Sequence, residues 1–364
     1  MSKKLKAGVI GLGMGGAHLA GYLQHPDVEV VAIADRREDR RALLPVNYPS
    51  FKGKVYHEGM EMIEKEKLDI VTVAVPNNQH MELTVAALES GANVLCEKPM
   101  AMNTAEAEKM LKTAKRCRKK LGIDFSYRFK PQSRAMKDMI EQGALGEIYY
   151  ARSVWFRRRG IPGMARDNDF NTGSGKSAPM GSWFFDKKQS GGGPLIDLGV
   201  HRLDLALWLM GSPEPVWVMA STYTKFGDKL AKRSGQKYTV EDLACAMIKF
   251  DNGATLELDA SWASNIKEHE LQTIRLLGDK GGMYQYNLNE GYTYDVEYYS
   301  EMAGRAFDSK MHTAQPVPSA YALFVDAVRD NTPYLVQPED GVKVMKILDA
   351  IYLSAKKGEP VKIS

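Results

Sequence analysis

The chain has 364 residues, of which 44% are hydrophobic and 26% are charged. These proportions are ordinary for a globular protein, and the length favours two domains that each bury a core. The formal net charge of +4 is small for this length, so it gives no reason to expect nucleic acid or an anionic membrane surface as a partner. The three cysteines (Cys96, Cys117 and Cys245) are too scattered for a disulfide framework or a zinc site, and we expect no bound metal.

Hydrophobic stretches are short throughout the sequence. None approaches the roughly 18 apolar residues of a membrane span. Ala7–Ile10 already has the pattern of a core strand, which argues against a cleavable signal at the N-terminus. We therefore expect a cytoplasmic protein without a membrane partner.

The first third of the chain alternates short, β-branched runs with helical segments, and such runs are typical of parallel strands buried on both faces. Strands are predicted at Ala7–Ile10, Val28–Ala34, Ile70–Val75, Val94–Cys96 and residues 123–125. Helices are predicted at Gly16–Gln24, Gly59–Glu64 and His80–Glu89, with a further helix after the N-cap Thr104. This order predicts a doubly wound α/β domain over residues 1–125.

Residues 126–364 have the mixed pattern of an α+β domain, whose last helix is a candidate to pack back toward the first domain. A strand rich in aromatic residues is predicted at Ile148–Phe156, and Tyr284–Tyr299 is strand-like. Antiparallel strands are predicted at Val216–Thr222, Leu243–Phe250, Ala254–Trp262 and Gln272–Leu277. The turn Asp251-Asn252-Gly253 predicts a hairpin between two of them. Helices are predicted at Ile196–Met210, Ser319–Asp330 and Glu339–Lys356. Residues 157–193 have the composition of a long loop, and loops of this length are often functional.

A glycine-rich segment, Gly11-Leu12-Gly13-Met14-Gly15-Gly16, joins the first predicted strand to the first helix. Its glycines fit the G-x-G-x-x-G pattern, in which they permit a tight turn, close approach of backbone to a pyrophosphate, and close packing of helix on strand. The helix N-terminus would offer free N–H groups to the phosphates. We predict that Gly11, Leu12, Gly13, Met14 and Gly16 bind a dinucleotide; the alternative is a glycine turn without a ligand.

Asp35 ends the second predicted strand, where a carboxylate can accept hydrogen bonds from the adenosine ribose. This carboxylate would repel a ribose 2′-phosphate, which favours NAD over NADP. Arg36 and Arg37 keep NADP open, because either could bind such a phosphate or stack on adenine. Asp35 and Arg36 are therefore candidate cofactor residues, and a solvated loop acid is the alternative for Asp35.

Polar residues follow the ends of two later strands: Pro76-Asn77 with His80, and Glu97-Lys98-Pro99. Ligands of open α/β sheets bind beyond the carboxyl ends of the strands, so Pro76, Asn77, His80 and Glu97 are candidates to line the nicotinamide half of the crevice. Lys98 could stabilise negative charge that develops on an alcohol oxygen. The alternatives are helix capping or exposure for His80 and a surface loop position for Lys98.

The segment Gly191–His201 carries the candidate catalytic residues of the second domain. Asp197 and His201 are four residues apart, so they project from one face of a helix near its N-terminus. An imidazole oriented by a carboxylate is a competent general base for a hydroxyl proton while the C–H bond leaves as hydride. An Asp–His pair at this spacing also occurs as plain helix stabilisation, and we assign Asp204 a structural role.

These segments, together with Tyr127-Arg128-Phe129 and the run from Gly278 to Gly282, resemble the glucose–fructose oxidoreductase / inositol dehydrogenase (Gfo/Idh/MocA) family over nearly the whole chain. The resemblance implies NAD(P)-dependent oxidation or reduction of a sugar or polyol hydroxyl, with Lys98, Asp197 and His201 as the catalytic set. It also implies a large open antiparallel sheet in the second domain, whose exposed face would join a homodimer or homotetramer. Arg128 would contact cofactor or substrate, with a structural salt bridge as an equal alternative.

The segment from Phe156 to Phe185 mixes basic and aromatic side chains. Aromatic faces stack on pyranose rings, and arginines bind hydroxyls or carboxylates. We expect this segment, with Trp183 and with Tyr127 nearby, to set substrate choice for a glycoside or an acidic sugar. The alternative is a loop that packs on a neighbouring subunit.

Three functions compete on this evidence. The first is an oxidoreductase that transfers a hydride between a nicotinamide and a ring hydroxyl or ketone of a sugar, inositol or glycoside. The second is an NAD-dependent glycosidase that oxidises its substrate transiently, with Tyr127 as an acid or base. The third is a dinucleotide-binding regulator without turnover, which would have no need for Lys98, Asp197 and His201 together.

Overall fold

A computed structural model describes residues 4–162, 182–233, 237–312 and 315–363. The chain divides into two compact units, each of which is assembled from two stretches of sequence. Met1–Ser126 and Pro318–Met345 form the first unit, and Tyr127–Val317 and Lys346–Ser364 form the second. The sequence prediction placed residues 318–345 in the second domain, whereas in the structure they cluster with the first.

The first unit contains a six-stranded parallel sheet with the strand order β3-β2-β1-β4-β5-β6. Its strands are β1 (Leu5–Ile10), β2 (Val28–Ala34), β3 (Lys54–Tyr56), β4 (Ile70–Val73), β5 (Asn93–Glu97) and β6 (Leu121–Asp124). All four residues of β4 are buried, as expected for a strand covered on both faces. The strand order reverses between β1 and β4, which is where doubly wound sheets bind ligands. The predicted doubly wound α/β fold is confirmed.

Helices connect these strands: α1 (Gly15–Gln24), α2 (Glu38–Ala42), α3 (Leu44–Asn47), α4 (Gly59–Lys65), α5 (His80–Glu89) and α6 (Thr104–Cys117). The predicted cap of α6 was wrong by one residue. Asn103, not Thr104, is the N-cap, because its side chain accepts a hydrogen bond from the backbone N–H of Glu106 at 3.0 Å. The sequence analysis also missed β3, α2 and α3, which are too short to show a hydrophobic period.

The second unit is built on a nine-stranded sheet with the order β14-β13-β12-β11-β7-β10-β9-β8-β15. Its strands are β7 (Ile148–Arg157), β8 (Pro215–Tyr223), β9 (Leu243–Phe250), β10 (Thr255–Ser261), β11 (Glu270–Gly278), β12 (Gly281–Asn287), β13 (Tyr294–Met302), β14 (Arg305–Lys310) and β15 (Val361–Lys362). Strands β7 and β10 pair in parallel, and all other described pairs in this sheet are antiparallel. The predicted α+β domain with a large open sheet is therefore confirmed.

One hairpin of this sheet was predicted correctly from the sequence, and another was not. The predicted turn Asp251-Asn252-Gly253 joins β9 to β10, and Gly253 adopts a φ of +87° there. The single strand predicted over Tyr284–Tyr299 was wrong, because β12 and β13 are separate strands. Asn289 and Glu290 both have positive φ in the turn between them, a conformation that asparagine tolerates well. Because tyrosines lie on both sides of this turn, the hydrophobic pattern of the sequence did not indicate a break between two strands.

The helices of the second unit are α7 (Pro131–Glu141), α8 (Lys187–Ser190), α9 (Val200–Leu209) and α10 (Gly227–Arg233), and they are followed by α11 (Ala320–Arg329) and α12 (Pro338–Lys357). The predicted helix Ile196–Met210 is in fact a π-helical turn, Leu195–Gly199, followed by α9. Helix α11 belongs to the first unit, and the division between the two units falls within α12. Among the described helices, none is both long and apolar enough to cross a bilayer.

Candidate active site

The turn between β1 and α1 packs closely against neighbouring residues at its glycines. Gly11 has a φ of +89°, and a Cβ there would overlap the carbonyl oxygen of Ala74 on the neighbouring strand end. A Cβ on Gly16 would lie 2.5 Å from Tyr48 Oη, and one on Gly13 would lie 3.2 Å from a guanidinium nitrogen of Arg40. Helix α1 starts at Gly15, so its first N–H groups face this turn. The cradle fits the pyrophosphate of a dinucleotide.

Asp35 follows β2 directly and is 7% exposed. Its Oδ2 accepts the backbone N–H of Leu12 at 2.6 Å, and its Oδ1 accepts the backbone N–H of Arg37 at 2.8 Å. The carboxylate therefore shapes the glycine turn. Arg36 is paired with Glu58. Arg40, which the sequence analysis did not select, lies 3.4 Å from Asp35 Oδ2.

His80 occupies a different environment from the one predicted. The ring is fully buried at the start of α5, with Nδ1 2.8 Å from the Pro99 carbonyl oxygen and Nε2 2.8 Å from the Val75 carbonyl oxygen. Burial lowers the pKa of His80, and the hydrogen bonds to the two carbonyl groups offset this in part. His80 therefore braces the two strand-end loops that carry Asn77 and Lys98, instead of lining an open crevice. Pro76 and Asn77 lie beside it in a short 3₁₀ turn where Asn77 is buried.

Glu97 and Lys98 lie where β5 ends. The Lys98 backbone N–H donates to Glu97 Oε2 at 3.2 Å, and Lys98 itself is partly exposed. Burial alone would raise the pKa of Glu97, but the hydrogen bond and charge of His18 and the charge of Lys98 outweigh it and lower the pKa. An ionised carboxylate and a cation thus follow one another at the carboxyl edge of the sheet.

In the second unit, the glycine segment before α9 is held by a buried carboxylate. Glu241 Oε1 accepts the backbone N–H of Gly193 at 3.0 Å and that of Leu195 at 3.1 Å, together with the Tyr352 hydroxyl at 2.9 Å. A Cβ on Gly193 would overlap the Glu241 carbonyl oxygen, so only glycine fits there. This contact starts the π-helical turn from which Asp197 projects. Trp262, which is fully buried, donates its indole N–H to Asp197 Oδ2 at 2.9 Å.

His201 lies one turn further on, against aromatic rings. Its ring centroid is 5.1 Å from that of Tyr127 and 5.9 Å from that of Trp155. Tyr127 is buried and donates its hydroxyl to Gln272 Oε1 at 2.9 Å. Burial raises the pKa of Tyr127 well above its ordinary value, so the phenol keeps its proton.

A polar network that sequence reasoning missed adjoins the His201 aromatic wall. Glu270 Oε1 accepts the Trp155 indole N–H at 2.6 Å, Arg157 Nε at 3.2 Å and the Tyr292 hydroxyl at 3.1 Å. Burial lowers the pKa of Arg157, but the charges of Glu270 and Asp197 and its contact with Tyr292 outweigh this and raise it. Tyr292 is 48% exposed, so the network reaches the surface. Its members come from β7, β11 and the β12–β13 turn, which sequence spacing cannot connect.

Two further predicted residues have clear surroundings. Arg128 is buried and forms a two-pronged salt bridge with buried Asp204, with Nη2 2.6 Å from Oδ1 and Nε 3.0 Å from Oδ2. This is the structural alternative for Arg128, and it agrees with the structural role assigned to Asp204. The ring centroid of Trp183 lies 4.0 Å from that of Phe184 in a tilted arrangement, and the ring centroid of Phe184 lies 6.5 Å from that of Trp262. Residues 163–181 of the predicted substrate segment lie outside the described residues.

The first unit has a glycine cradle and a strand-end lysine, and the second unit has an imidazole beside aromatic rings and a carboxylate four residues before it. Comparison with known proteins shows the family to which the chain belongs. A model of the oxidoreductase family with an NAD-binding Rossmann fold matches residues 5–125, and the GFO/IDH/MocA C-terminal domain model matches residues 133–284. A D-glucoside 3-dehydrogenase of Escherichia coli (strain K12) is 31% identical over 371 residues, covering 100% of this chain and 98% of that relative.

The chain belongs to the Gfo/Idh/MocA oxidoreductase family.

Other Gfo/Idh/MocA proteins are similar over equally long stretches. A myo-inositol 2-dehydrogenase of Thermotoga maritima is 26% identical, covering 99% of this chain and 98% of the relative. The solved structure of a levoglucosan dehydrogenase in complex with NADH and L-sorbose superposes with a TM-score of 0.81 at 24% identity over the full length of both chains, which shows a shared fold. Family membership confirms the predicted enzyme class, an oxidoreductase with NAD as its cofactor.

Proposed function

We propose that this Gfo/Idh/MocA protein oxidises a ring hydroxyl of a pyranoside, with D-glucosides as the first substrate class to test. The observation that carries the proposal is the surroundings of His201, which lies against the buried rings of Tyr127 and Trp155, next to an Arg157–Glu270–Tyr292 network that reaches the surface at Tyr292. An exposed ring such as that of Tyr292 can bind the apolar face of a sugar, and charged hydrogen-bonding groups bind its hydroxyls. The D-glucoside 3-dehydrogenase relative supports the same class.

We assign the chemical roles to residues of the candidate site. His201 accepts the hydroxyl proton as the carbonyl forms, and Asp197 stabilises the imidazolium that results. Lys98 stabilises negative charge on the substrate oxygen during this step. The glycine cradle (Gly11, Gly13 and Gly16) would hold NAD, which would supply the hydride acceptor, so that one alcohol and one NAD⁺ would give one ketone, one NADH and one proton.

The structure gives the glycosidase alternative less support. That mechanism assigns proton transfer to Tyr127. Burial holds the Tyr127 phenol protonated, and its hydroxyl is occupied with Gln272 and Tyr294, so it is a poor base. We therefore expect release of NADH in proportion to ketone, without cleavage of the glycosidic bond.

The test begins with a substrate screen at the absorbance of reduced nicotinamide. Methyl α- and β-D-glucosides, D-glucose, myo-inositol and a glucuronide are each offered with NAD⁺ and with NADP⁺, and the oxidised position is read from the product by NMR. We expect NADH formation with at least one glucoside. No reduction of either cofactor by any of these alcohols would contradict the proposal.

Two substitutions then test the assigned residues. Lys98→Ala and His201→Ala should leave NAD⁺ binding nearly intact and lower turnover by at least about a hundredfold, because each removes a group that acts only on the reacting hydroxyl. Lys112→Ala and His57→Ala are matched controls at exposed sites and should retain full activity. Normal turnover of either active-site variant would remove that residue from the mechanism.

We also propose that the protein forms a homodimer or homotetramer through one face of its nine-stranded sheet. A ladder of outward residues crosses eight strands of this face and includes Met247, which is 40% exposed, and Arg152, whose side chain is 53% exposed. An exposed sheet face of this size is a natural surface for a second copy of the same chain.

A further inference from the structure

A buried histidine that the sequence analysis did not select connects three elements of the first unit. His18 lies on α1, two residues after the last glycine of the cradle, and is 1% exposed. Its Nε2 is 3.1 Å from Glu97 Oε1 and 3.1 Å from Asp124 Oδ2, and both carboxylates are themselves buried. Glu97 ends β5 and Asp124 ends β6. The imidazole therefore links the cradle helix to two strand ends.

The contacts of the two ring nitrogens indicate a protonated imidazole. Nε2 faces two carboxylate oxygens, so it must carry a hydrogen. Nδ1 lies 3.5 Å from the Thr72 hydroxyl, which can accept a hydrogen bond and which is 2.9 Å from the Tyr22 hydroxyl. Burial alone would lower the pKa of His18, but the hydrogen bonds and charges of Asp124 and Glu97 outweigh it and raise the pKa to about 9. The Tyr321 ring covers the imidazole at a centroid distance of 5.2 Å.

This histidine lies between the two parts of the unit that a dinucleotide must reach at once. Helix α1 follows β1 and carries the glycine cradle, whereas β5 continues directly into Lys98. His18 spans from α1 past Thr72 on β4 to Glu97 on β5 and Asp124 on β6. Glu97 in turn accepts the backbone N–H of Lys98 with its other oxygen at 3.2 Å. An unbroken chain of contacts thus runs from the cradle helix to the backbone of Lys98.

We propose that His18 is a positioning residue: an imidazolium that holds Glu97 and Asp124 together and thereby fixes Lys98 relative to the glycine cradle. The charges around it come from Glu97, Asp124 and Lys98, and its remaining neighbours are the neutral groups of Thr72, Tyr22 and Tyr321. Two carboxylates with one imidazolium leave a net negative charge, which the adjacent Lys98 offsets. The catalytic role of Lys98 rests on the proposed function, but the ion triad formed by His18, Glu97 and Asp124 does not.

The sign of the pH effect follows from the raised pKa. A histidine with a pKa of about 9 in the fold and 6.5 when unfolded stabilises the fold fully below 6.5, and this contribution is lost as the pH rises toward 9. Burial and the Glu97 charge raise the pKa of Asp124, so Asp124 is the more readily protonated of the two carboxyl groups. Removing its charge should therefore lower the demand for a cation at His18.

The first experiment needs no substrate. In the cofactor-free protein, the NMR signal of the His18 imidazole should not titrate between about pH 6 and 8. This signal is identified among those of the seven histidines by its loss in His18→Gln. Relative to His18→Gln, the wild type should lose unfolding free energy between pH 6.5 and 9. His25→Gln is the control, since His25 ends the same helix and is 3.6 Å from Asp326, outside the triad. A His18 midpoint at or below 6.5 would overturn the proposal.

The same sample tests whether His18, Glu97 and Asp124 hold a metal ion. The three ligand-type atoms lie within 4.8 Å of one another and are the one group of described residues that could hold a metal ion. Elemental analysis of purified protein should find less than a tenth of an equivalent (about trace level) of any divalent metal, because the 3.1 Å contacts are ordinary charge-assisted hydrogen bonds. A stoichiometric metal that is lost in His18→Gln would show that these three side chains bind a metal ion and do not form the proposed ion triad.

The second experiment measures positioning. His18→Gln should weaken NADH binding several-fold (roughly) and lower kcat by about tenfold, with KM for the sugar nearly unchanged. The double variant His18→Gln/Asp124→Asn should recover much of both losses, because it removes the second carboxylate along with the cation. A merely space-filling histidine predicts no such rescue, and its absence would overturn the proposal. If no sugar is oxidised at all, NADH binding and the titration still test the triad.

Discussion

We propose that two charged residues, Asp35 and Arg40, determine which cofactor the adenosine end of the cradle accepts. Asp35 accepts the Leu12 backbone N–H of the glycine turn with Oδ2 and the Arg37 backbone N–H of its own turn with Oδ1, and the Arg40 guanidinium lies 3.4 Å from Oδ2. A negative Asp35 repels a 2′-phosphate, whereas Arg40 would attract one. We therefore expect the balance between these two side chains, more than the glycines, to decide between NAD and NADP. Arg36, which the sequence made the candidate, is paired with Glu58.

Asp35→Ala tests this balance. We expect the Kd for NAD⁺ to rise by about tenfold or more, as for the loss of a charged hydrogen bond, and the Kd for NADP⁺ to rise much less. Both constants include any loosening of the turn at Leu12, so the ratio of the two is the diagnostic quantity. Titration of each cofactor by calorimetry gives it, and Asp39→Ala, at an exposed ion pair with Arg37, is the control. An unchanged ratio would show that Asp35 does not discriminate.

At the scale of elements, the turn that presents Asp197 and His201 depends on Glu241. Three donors converge on one oxygen of this buried side chain, and the π-helical turn begins where two of them lie. Burial raises the pKa of Glu241, although the backbone N–H groups and the Tyr352 hydroxyl lower it in part. A carboxyl group whose pKa is raised by folding stabilises the fold at low pH and loses that contribution as the pH rises through the folded value.

Glu241→Ala and Glu241→Gln should therefore behave differently. Alanine leaves three buried donors without their acceptor and should cost about 3–5 kcal/mol of unfolding free energy, with a large fall in kcat as the turn loosens. Glutamine keeps an acceptor oxygen and removes the buried charge, so it should be at least as stable as the wild type at neutral pH and less dependent on pH. Denaturant unfolding at about pH 5 and about pH 8 makes the comparison. Equal damage by both substitutions would contradict the hydrogen-bonding role.

These two sites show what local sequence can and cannot predict. Periodicity located β2 and β9 to the residue, and the glycine turn and Glu97-Lys98 were placed at their strand ends, because each signal lies within a dozen residues. Asp197 and His201 were expected on one helix, but Asp197 lies in the π-helical turn and His201 in α9. Strand β14 was missed because all six of its residues are exposed, so it has no hydrophobic alternation to detect. The contacts that hold the site connect residues far apart in sequence: His18 with Glu97, and Gly193 with Glu241. Spacing carries no information about such pairs.

At the scale of the whole molecule, the nine-stranded sheet has two unlike faces. One cross-strand row, Ala246–Leu258–Ser153–Ile274–Gln285, is buried throughout. The adjacent row on the opposite face runs Met219–Met247–Glu257–Arg152–Arg275–Tyr284–Glu297–Lys310, and every residue in it is at least partly exposed. Successive residues of a strand point to opposite faces, so this alternation defines a buried and an open side.

The open side is large enough for a stable interface. Eight strands spaced about 4.8 Å apart extend about 34 Å, and strands of seven to nine residues are about 25 Å long. The product, about 850 Å², is close to what each partner buries in a standard interface. Its mixture of methionine, tyrosine and paired charges also suits a protein partner, because arginine, methionine and aromatic residues are enriched there.

Met247→Lys tests whether a second copy covers this face. On an isolated sheet the new lysine would stand opposite Glu257, a favourable cross-strand pair, so the single chain should remain folded while the interface acquires an unpartnered charge. Light scattering after size exclusion should give a multiple of the chain mass for the wild type and a single-chain mass, or a much weaker assembly, for the variant. Leu353→Lys places the same charge at an exposed position on α12, off the sheet, and should leave the assembly intact. A monomeric wild type, or an assembly indifferent to Met247→Lys, would mean that this face is not where copies of the chain meet.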